Sequence, residues 1–80
     1  METVILCIKA DEFGNKLFIK HYSKMNDRMF CFYRSTYNDM PFQETELFLV
    51  DNNKNVAICG DDGTIMWRFS IDLLDKFKGN

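Results

Sequence analysis

Apolar runs in this chain are short and are separated by polar clusters at nearly regular intervals, the pattern of a small antiparallel sheet. Residues 3–10 and 16–22 are two such runs. The cluster between them, Asp11-Glu12-Phe13-Gly14-Asn15, holds a Gly-Asn step that can take the positive φ values of a hairpin bend. A second cluster, 23–28, leads into 29–34, where Phe30 and Phe32 alternate with Met29, Cys31 and Tyr33 in an aromatic-rich strand composition. Within 35–43, Pro41 disfavours helix at Met40 and marks a loop. The rest reads as three short strands, 46–50, 56–59 and 64–69, joined by tight polar turns at 51–55 and 60–63. In the last strand, two-residue alternation sends Ile65, Trp67 and Phe69 towards the core and Met66 and Arg68 to the opposite face.

The tail changes period. Ser70 is placed to accept from first-turn N–H groups, Asp72 adds a favourable charge, and Gly79 stands where a helix commonly ends. Ile71, Leu74 and Phe77 recur at i, i+3 and i+6 with Leu73 beside them, which predicts a two-turn amphipathic helix that is stable only when docked. The fold is therefore read as mainly β (α+β): an antiparallel meander of about five to six strands with a short C-terminal helix. A competing pattern runs through 16–34. There Phe18, Tyr22, Met25, Met29 and Phe32 fall at helical spacing with no Gly or Pro, and the alternative is one strand, a long helix over 16–34, a three-stranded antiparallel sheet and the C-terminal helix. On that helix Lys16, Lys20, Lys24 and Arg28 would form one basic stripe. The turn at 11–15 and the poor helical character of 30–33 favour strands.

Length and composition narrow the picture. Eighty residues are read as one domain, 1–80, whose folding removes only about 60–65% of the unfolded surface, so association with another chain, a homodimer included, is one way to gain stability. The three cysteines, Cys7, Cys31 and Cys59, are odd in number, have no C-x-x-C pair and each lie in an apolar run, which suits buried free thiols. A zinc site would need all three with His21, and they lack the close ligand pair usual in such sites. Asp51-x-Asn53-x-Asn55 with Ile58 and Asp62 imitates a calcium-binding EF-hand loop. Val56 stands where that loop needs Gly and Asp62 where it uses Glu, so a polar hairpin turn accounts for the same residues. No metal or cofactor is expected. The N-terminus does not read as a secretory signal and no run approaches the ~18 apolar residues of a membrane span; with reduced thiols, the expectation is a cytoplasmic protein with no membrane partner.

Catalysis finds little support in one histidine, no phosphate-cradling glycine loop and no nucleophile motif; Asp61-Asp62 and Glu44-x-Glu46 fall in turns or loop margins, where solvated charge is ordinary. No enzyme is expected. What remains is surface. Eight Phe, five Met, three Tyr and one Trp are generous for so small a core, and aromatic residues, Met and Arg are enriched at protein interfaces. The expected function is a small non-enzymatic protein-binding module using Arg68, Met66, Arg34 and Tyr33. Phe, Tyr, Met, Ile, Asn and Lys fill 36 of 80 positions against 10 for Gly, Ala, Arg and Pro, which points to an AT-rich genome of the kind bacteriophages carry. The module is accordingly read as a phage-encoded antagonist or modulator of a host protein, acting in the host cytoplasm.

The alternative is a small single-stranded DNA/RNA-binding sheet. Phe30 and Phe32 would stack bases while Arg28 and Arg34 meet phosphates. Against it, the net charge is −2, and Phe30 and Phe32 are read as core residues.

Overall fold

The computed structural model describes residues 5–77. Six strands, β1 (Leu6–Ala10), β2 (Lys16–Met25), β3 (Arg28–Ser35), β4 (Gln43–Leu49), β5 (Asn55–Cys59) and β6 (Ile65–Ser70), pair antiparallel in chain order as one meander. The sheet curls until its two edges nearly meet. Lys9 Nζ on β1 reaches across that seam and donates to the Arg68 carbonyl on β6 at 2.7 Å. A lysine on an edge strand also discourages pairing with a foreign strand. Thr3 and Gly79, each assigned a place by the sequence, lie outside the described residues. No helix among the described residues is long and apolar enough to cross a membrane.

The long helix over 16–34 is not formed. Those residues make the β2–β3 hairpin, paired from Leu17↔Ser35 to Met25↔Arg28. Its bend, Asn26-Asp27, has φ values of 53° and 63°, and Asn and Asp are the side chains that best tolerate this double left-handed turn. β4 begins at Gln43 rather than 46, because Gln43, Glu44 and Thr45 pair with Tyr33, Phe32 and Cys31.

Three β-bulges interrupt the ladder, the first on β1, where Cys7 and Lys9 oppose adjacent residues of β2 and leave Ile8 extra. Ile19 and His21 oppose adjacent residues of β3, leaving Lys20 as an extra residue, and Ile65 and Trp67 oppose adjacent residues of β5, leaving Met66 extra. A bulge re-aims a side chain and resets the alternation beyond it. Ile65 is consequently exposed, whereas Trp67 and Phe69 are buried as their alternation predicts. With them in the core are Leu17, Ile19, Cys31, Tyr33, Leu47, Val56, Ile58 and Leu74.

Phe30 and Phe32 are not core residues. β3 turns Cys31, Tyr33 and Ser35 inward and holds Arg28, Phe30, Phe32 and Arg34 on the outer face. Arg28 and Arg34 share the parity of the two phenylalanines, and an unpaired buried guanidinium costs more than two half-buried rings. The tail is a 3-10 helix, Ile71–Phe77, not an α-helix. Its apolar residues recur every third position, which matches the three residues per turn of a 3-10 helix. Leu74 is buried, Ile71 and Phe77 pack at the core margin and Leu73 is exposed. Ser70 Oγ accepts from Asp72 N at 3.2 Å, and Ile71 N donates to the Lys54 carbonyl at 2.8 Å, tying the helix to the β4–β5 turn.

Candidate functional site

Three connections gather at one end of the curled sheet: the β1–β2 turn (11–15), the β3–β4 loop (36–42) and the β5–β6 turn (60–64). Each is fixed by its own hydrogen bonds. Asp11 N donates to the Asn15 carbonyl at 2.9 Å, and Gly60 N to that of Thr64 at 2.8 Å. The longer loop is strapped to β2, since Lys16 N donates to Thr36 Oγ1 at 2.6 Å and Thr36 N to the Lys16 carbonyl at 3.0 Å. Buried Ser35 accepts from Tyr37 N at 3.0 Å and so starts the single 3-10 turn Tyr37–Asp39. Arg34 Nε donates to the Met40 carbonyl at 3.0 Å just before Pro41.

The bulge brings Met66 into this end. Its thioether packs over Gly60, where an added Cβ would come within 3.3 Å of Sδ. Met66 forms a wall of two clefts. One, of about 220 Å³, is lined by Asp11, Tyr37, Met66 and Trp67. The other, of about 350 Å³, includes Tyr33, Met40, Gln43, Cys59 and Met66. Phe13, Tyr37, Ile65 and Met66 are all exposed at this end, Phe13 to 81%. The three loops also carry Asp11, Glu12, Asp39, Asp61 and Asp62 and no Lys or Arg. Asp62 is held below the ordinary carboxylate range by the Thr64 N–H and hydroxyl. At Asp11 desolvation pushes upward, but hydrogen bonds from the Asn15 side chain and the backbone of Asn15, Phe13 and Gly14 outweigh it and lower the pKa.

The four residues expected to meet a partner are divided by the fold. Met66 is exposed and Tyr33 is buried, yet both line the larger cleft. The Tyr33 hydroxyl accepts from Gln43 Nε2 at 3.0 Å, so its ring and its polar tip are both engaged, which corrects the expectation of an exposed tyrosine. Arg34 borders the same cleft through its bond to the Met40 carbonyl. Arg68 stands farther along β6, exposed on the outer face opposite Ala57. Phe13 and Tyr37 are not among the residues expected at the surface, although a bulky apolar residue in a polar turn is itself a signal of exposure.

The residues of the nucleic-acid reading do share one face, but they are occupied there. Phe32 is stacked between His21 and Phe42, with ring centroids 5.4 and 5.6 Å away. Lys20, placed by its bulge, lies 5.6 Å from the centre of the Phe32 ring and 5.7 Å from that of Phe42. Arg28 lies 5.4 Å from the Phe30 centroid and grips Glu46 with two hydrogen bonds of 2.6 and 2.8 Å. A base would have to displace neighbouring rings to stack on Phe32, and Arg28 is already partly neutralised.

The thiols are spread over three environments. Cys31 is buried, with its pKa pushed up to about 12 by desolvation and then by the charge of Glu44, but Cys59 is half-buried and Cys7 exposed, which corrects the expectation of three buried thiols. No group of three His, Cys, Asp or Glu able to hold a metal ion occurs among the described residues. In the turn that imitates a calcium loop, Asp51 Oδ1 accepts from Asn53 N and Asn55 N, and Oδ2 from Asn55 Nδ2, so the carboxylate serves its own turn. At the opposite end of the sheet, a cleft of about 560 Å³ lies between the β2–β3 hairpin and the tail helix, with Tyr22, Met29, Leu49 and Leu74 as its apolar part. No family model, curated protein or solved structure matches this chain.

Proposed function

We propose that this protein is a non-enzymatic protein-binding module whose partner seats on the loop end of the curled sheet. The observation that carries this reading is the position of Met66, an exposed, adaptable thioether that walls two adjoining clefts with exposed Tyr37 and Phe13 at the same end. Aromatic and methionine side chains supply contact area at interfaces, and a concave apolar site can accept a partner's side chain. Following the composition, the partner is a host protein that the module antagonises or modulates. The outer wall of β2 and β3 is the weaker candidate, because its rings already stack on one another and its Arg28 is paired.

Affinity capture from a bacterial lysate with three baits tests the reading: the native chain, a loop-end variant (Tyr37→Ser with Met66→Ser) and a wall variant (Lys20→Ser with Phe30→Ser). A protein retained by the native and wall baits and lost by the loop-end bait is the expected result. Loss from the wall bait instead moves the surface to β2–β3. Binding of a single-stranded oligonucleotide with a steep salt dependence, abolished in the wall variant, would favour the nucleic-acid reading.

A further inference from the structure

We infer that the segment seated at the loop end is a cationic stretch of a partner protein carrying an apolar anchor. This rests on the loop end being the binding surface and adds the chemistry of what binds there. The apolar part of the site is the pair of clefts walled by Met66, with Tyr37 on one side and Met40 on the other. Its border is mainly acidic, with Arg34 the base beside the larger cleft. Among the described residues, no side-chain hydrogen bond or ion pair engages Glu12, Asp39 or Asp61, while Asp11 and Asp62 are held below the ordinary carboxylate range by their own turns. Lys9, Lys16 and Arg34 stand on the adjoining strands, where Lys9 is committed to the Arg68 carbonyl and Arg34 to that of Met40.

This arrangement discriminates between partners. A neutral or acidic segment that pushed an apolar side chain between Tyr37 and Met66 would strip water from the carboxylates and return nothing for it. A segment bearing Lys or Arg beside its anchor supplies the missing counter-charges, and its approach is accelerated by the field of the rim. The cleft at the opposite end is larger, about 560 Å³, but Lys24 and Lys54 stand there among Asp27, Asp72 and Asp75, so its charges are mixed. Charge complementarity therefore assigns the cationic partner to the loop end.

The test uses the full chain and a fluorescently labelled peptide in which lysines alternate with leucines around a central tryptophan, with a second peptide having Gln for every Lys. Two variants shift the net charge by the same amount at opposite ends: Glu12→Lys with Asp61→Asn at the loop end, and Asp72→Lys with Asp27→Asn at the other. Circular dichroism confirms that each is folded. The lysine peptide is expected to bind the native chain, to weaken about tenfold with the loop-end charge variant and to stay within about twofold with the other, the difference shrinking in high salt. Equal weakening by both variants would reduce the effect to net charge and overturn the inference. Equal binding of both peptides, abolished by Tyr37→Ser with Met66→Ser, would overturn it while leaving the loop end as the binding surface. Failure of the Tyr37 and Met66 substitutions to affect either peptide would remove the surface itself. A salt-sensitive dimer of the native chain, broken by the loop-end charge variant, would make the occupant a second copy and overturn the inference as well.

Discussion

Asp11 and Asp51, at opposite ends of the sheet, hold their turns by the same hydrogen bonds. Each Oδ1 accepts from the backbone N–H two and four residues on, and each Oδ2 accepts from the side-chain amide of the asparagine at the fourth position, Asn15 or Asn55. In both, the residue before that asparagine is left-handed: Gly14 at φ 85° and Lys54 at φ 62°. One geometry thus carries a glycine in one turn and a lysine in the other.

The two turns should respond oppositely to substitution. Lys54→Gly removes a left-handed side chain and should stabilise the fold by up to ~1 kcal/mol, since the exposed Lys54–Asp72 pair at 3.8 Å contributes little. Gly14→Ala should cost about 1 kcal/mol, and purely through φ, because an added Cβ would meet nothing within 4 Å. Urea midpoints measure both. Shifts of the same sign would show that the turns do not share their strain.

Stability should fall on the acid side. Asp51 is lowered chiefly by the Asn55 side chain, Asp62 by the Thr64 N–H, Glu46 by the Arg28 guanidinium, and Asp11 by bonds that overcome its desolvation. A carboxyl whose folded pKa is depressed contributes fully above its unfolded value, near 4, and loses that contribution as pH falls through the lower folded value. The midpoint should change little from about pH 7 to 5 and drop below about pH 4. Glu46→Gln should make the drop shallower. A midpoint that rises on acidification would contradict this assignment.

Strands and turns are legible in the sequence because they depend on local chemistry: the turn residues of 11–15, 51–55 and 60–63 and the alternation between them. Facing is harder to read. For β3, hydrophobicity alone favours burying Phe30 and Phe32, and only the parity of Arg28 and Arg34 selects Cys31, Tyr33 and Ser35 for the interior. Alternation also fails at Ile65, where the bulge at Met66 intervenes and depends on pairing with β5. The candidate site is half legible for the same reason. Met66 stands out on its strand, but its convergence with Tyr37 and Phe13 is created by three loops distant in sequence, and no local pattern encodes it.

Thiol chemistry should separate the cysteines. Exposed Cys7 should react with an aromatic disulfide reagent at once, Cys59 more slowly, and Cys31 only as the protein unfolds, because its thiolate is disfavoured by burial. Counting modified thiols by mass spectrometry before and after adding denaturant checks the order. Early modification of Cys31 in native protein would mean that β3 opens locally far more readily than its core position implies.

Two pairs of neighbours, Trp67 with Arg68 and Leu73 with Leu74, set the core against the surface within one residue step. Trp67 and Leu74 are buried, so Trp67→Ala should cost ~3–5 kcal/mol and Leu74→Ala ~2–5 kcal/mol through the cavities they leave. Arg68 and Leu73 are exposed, and truncating them should change stability by less than about 0.5 kcal/mol. For Arg68 this holds although Lys9 bonds to it, because the acceptor is the backbone carbonyl, which alanine retains. Binding should divide the residues of β6 differently. Arg68 lies away from the loop end and opposite Ala57, so Arg68→Ala should leave partner affinity nearly unchanged, whereas Met66→Ser should weaken it by the ~1–2 kcal/mol or more of a central contact. Chemical denaturation and a titration against the captured partner supply the two measurements for each variant. A loss of binding with Arg68→Ala and none with Met66→Ser would place the interface on the outer face of β5 and β6 and rule out the loop end.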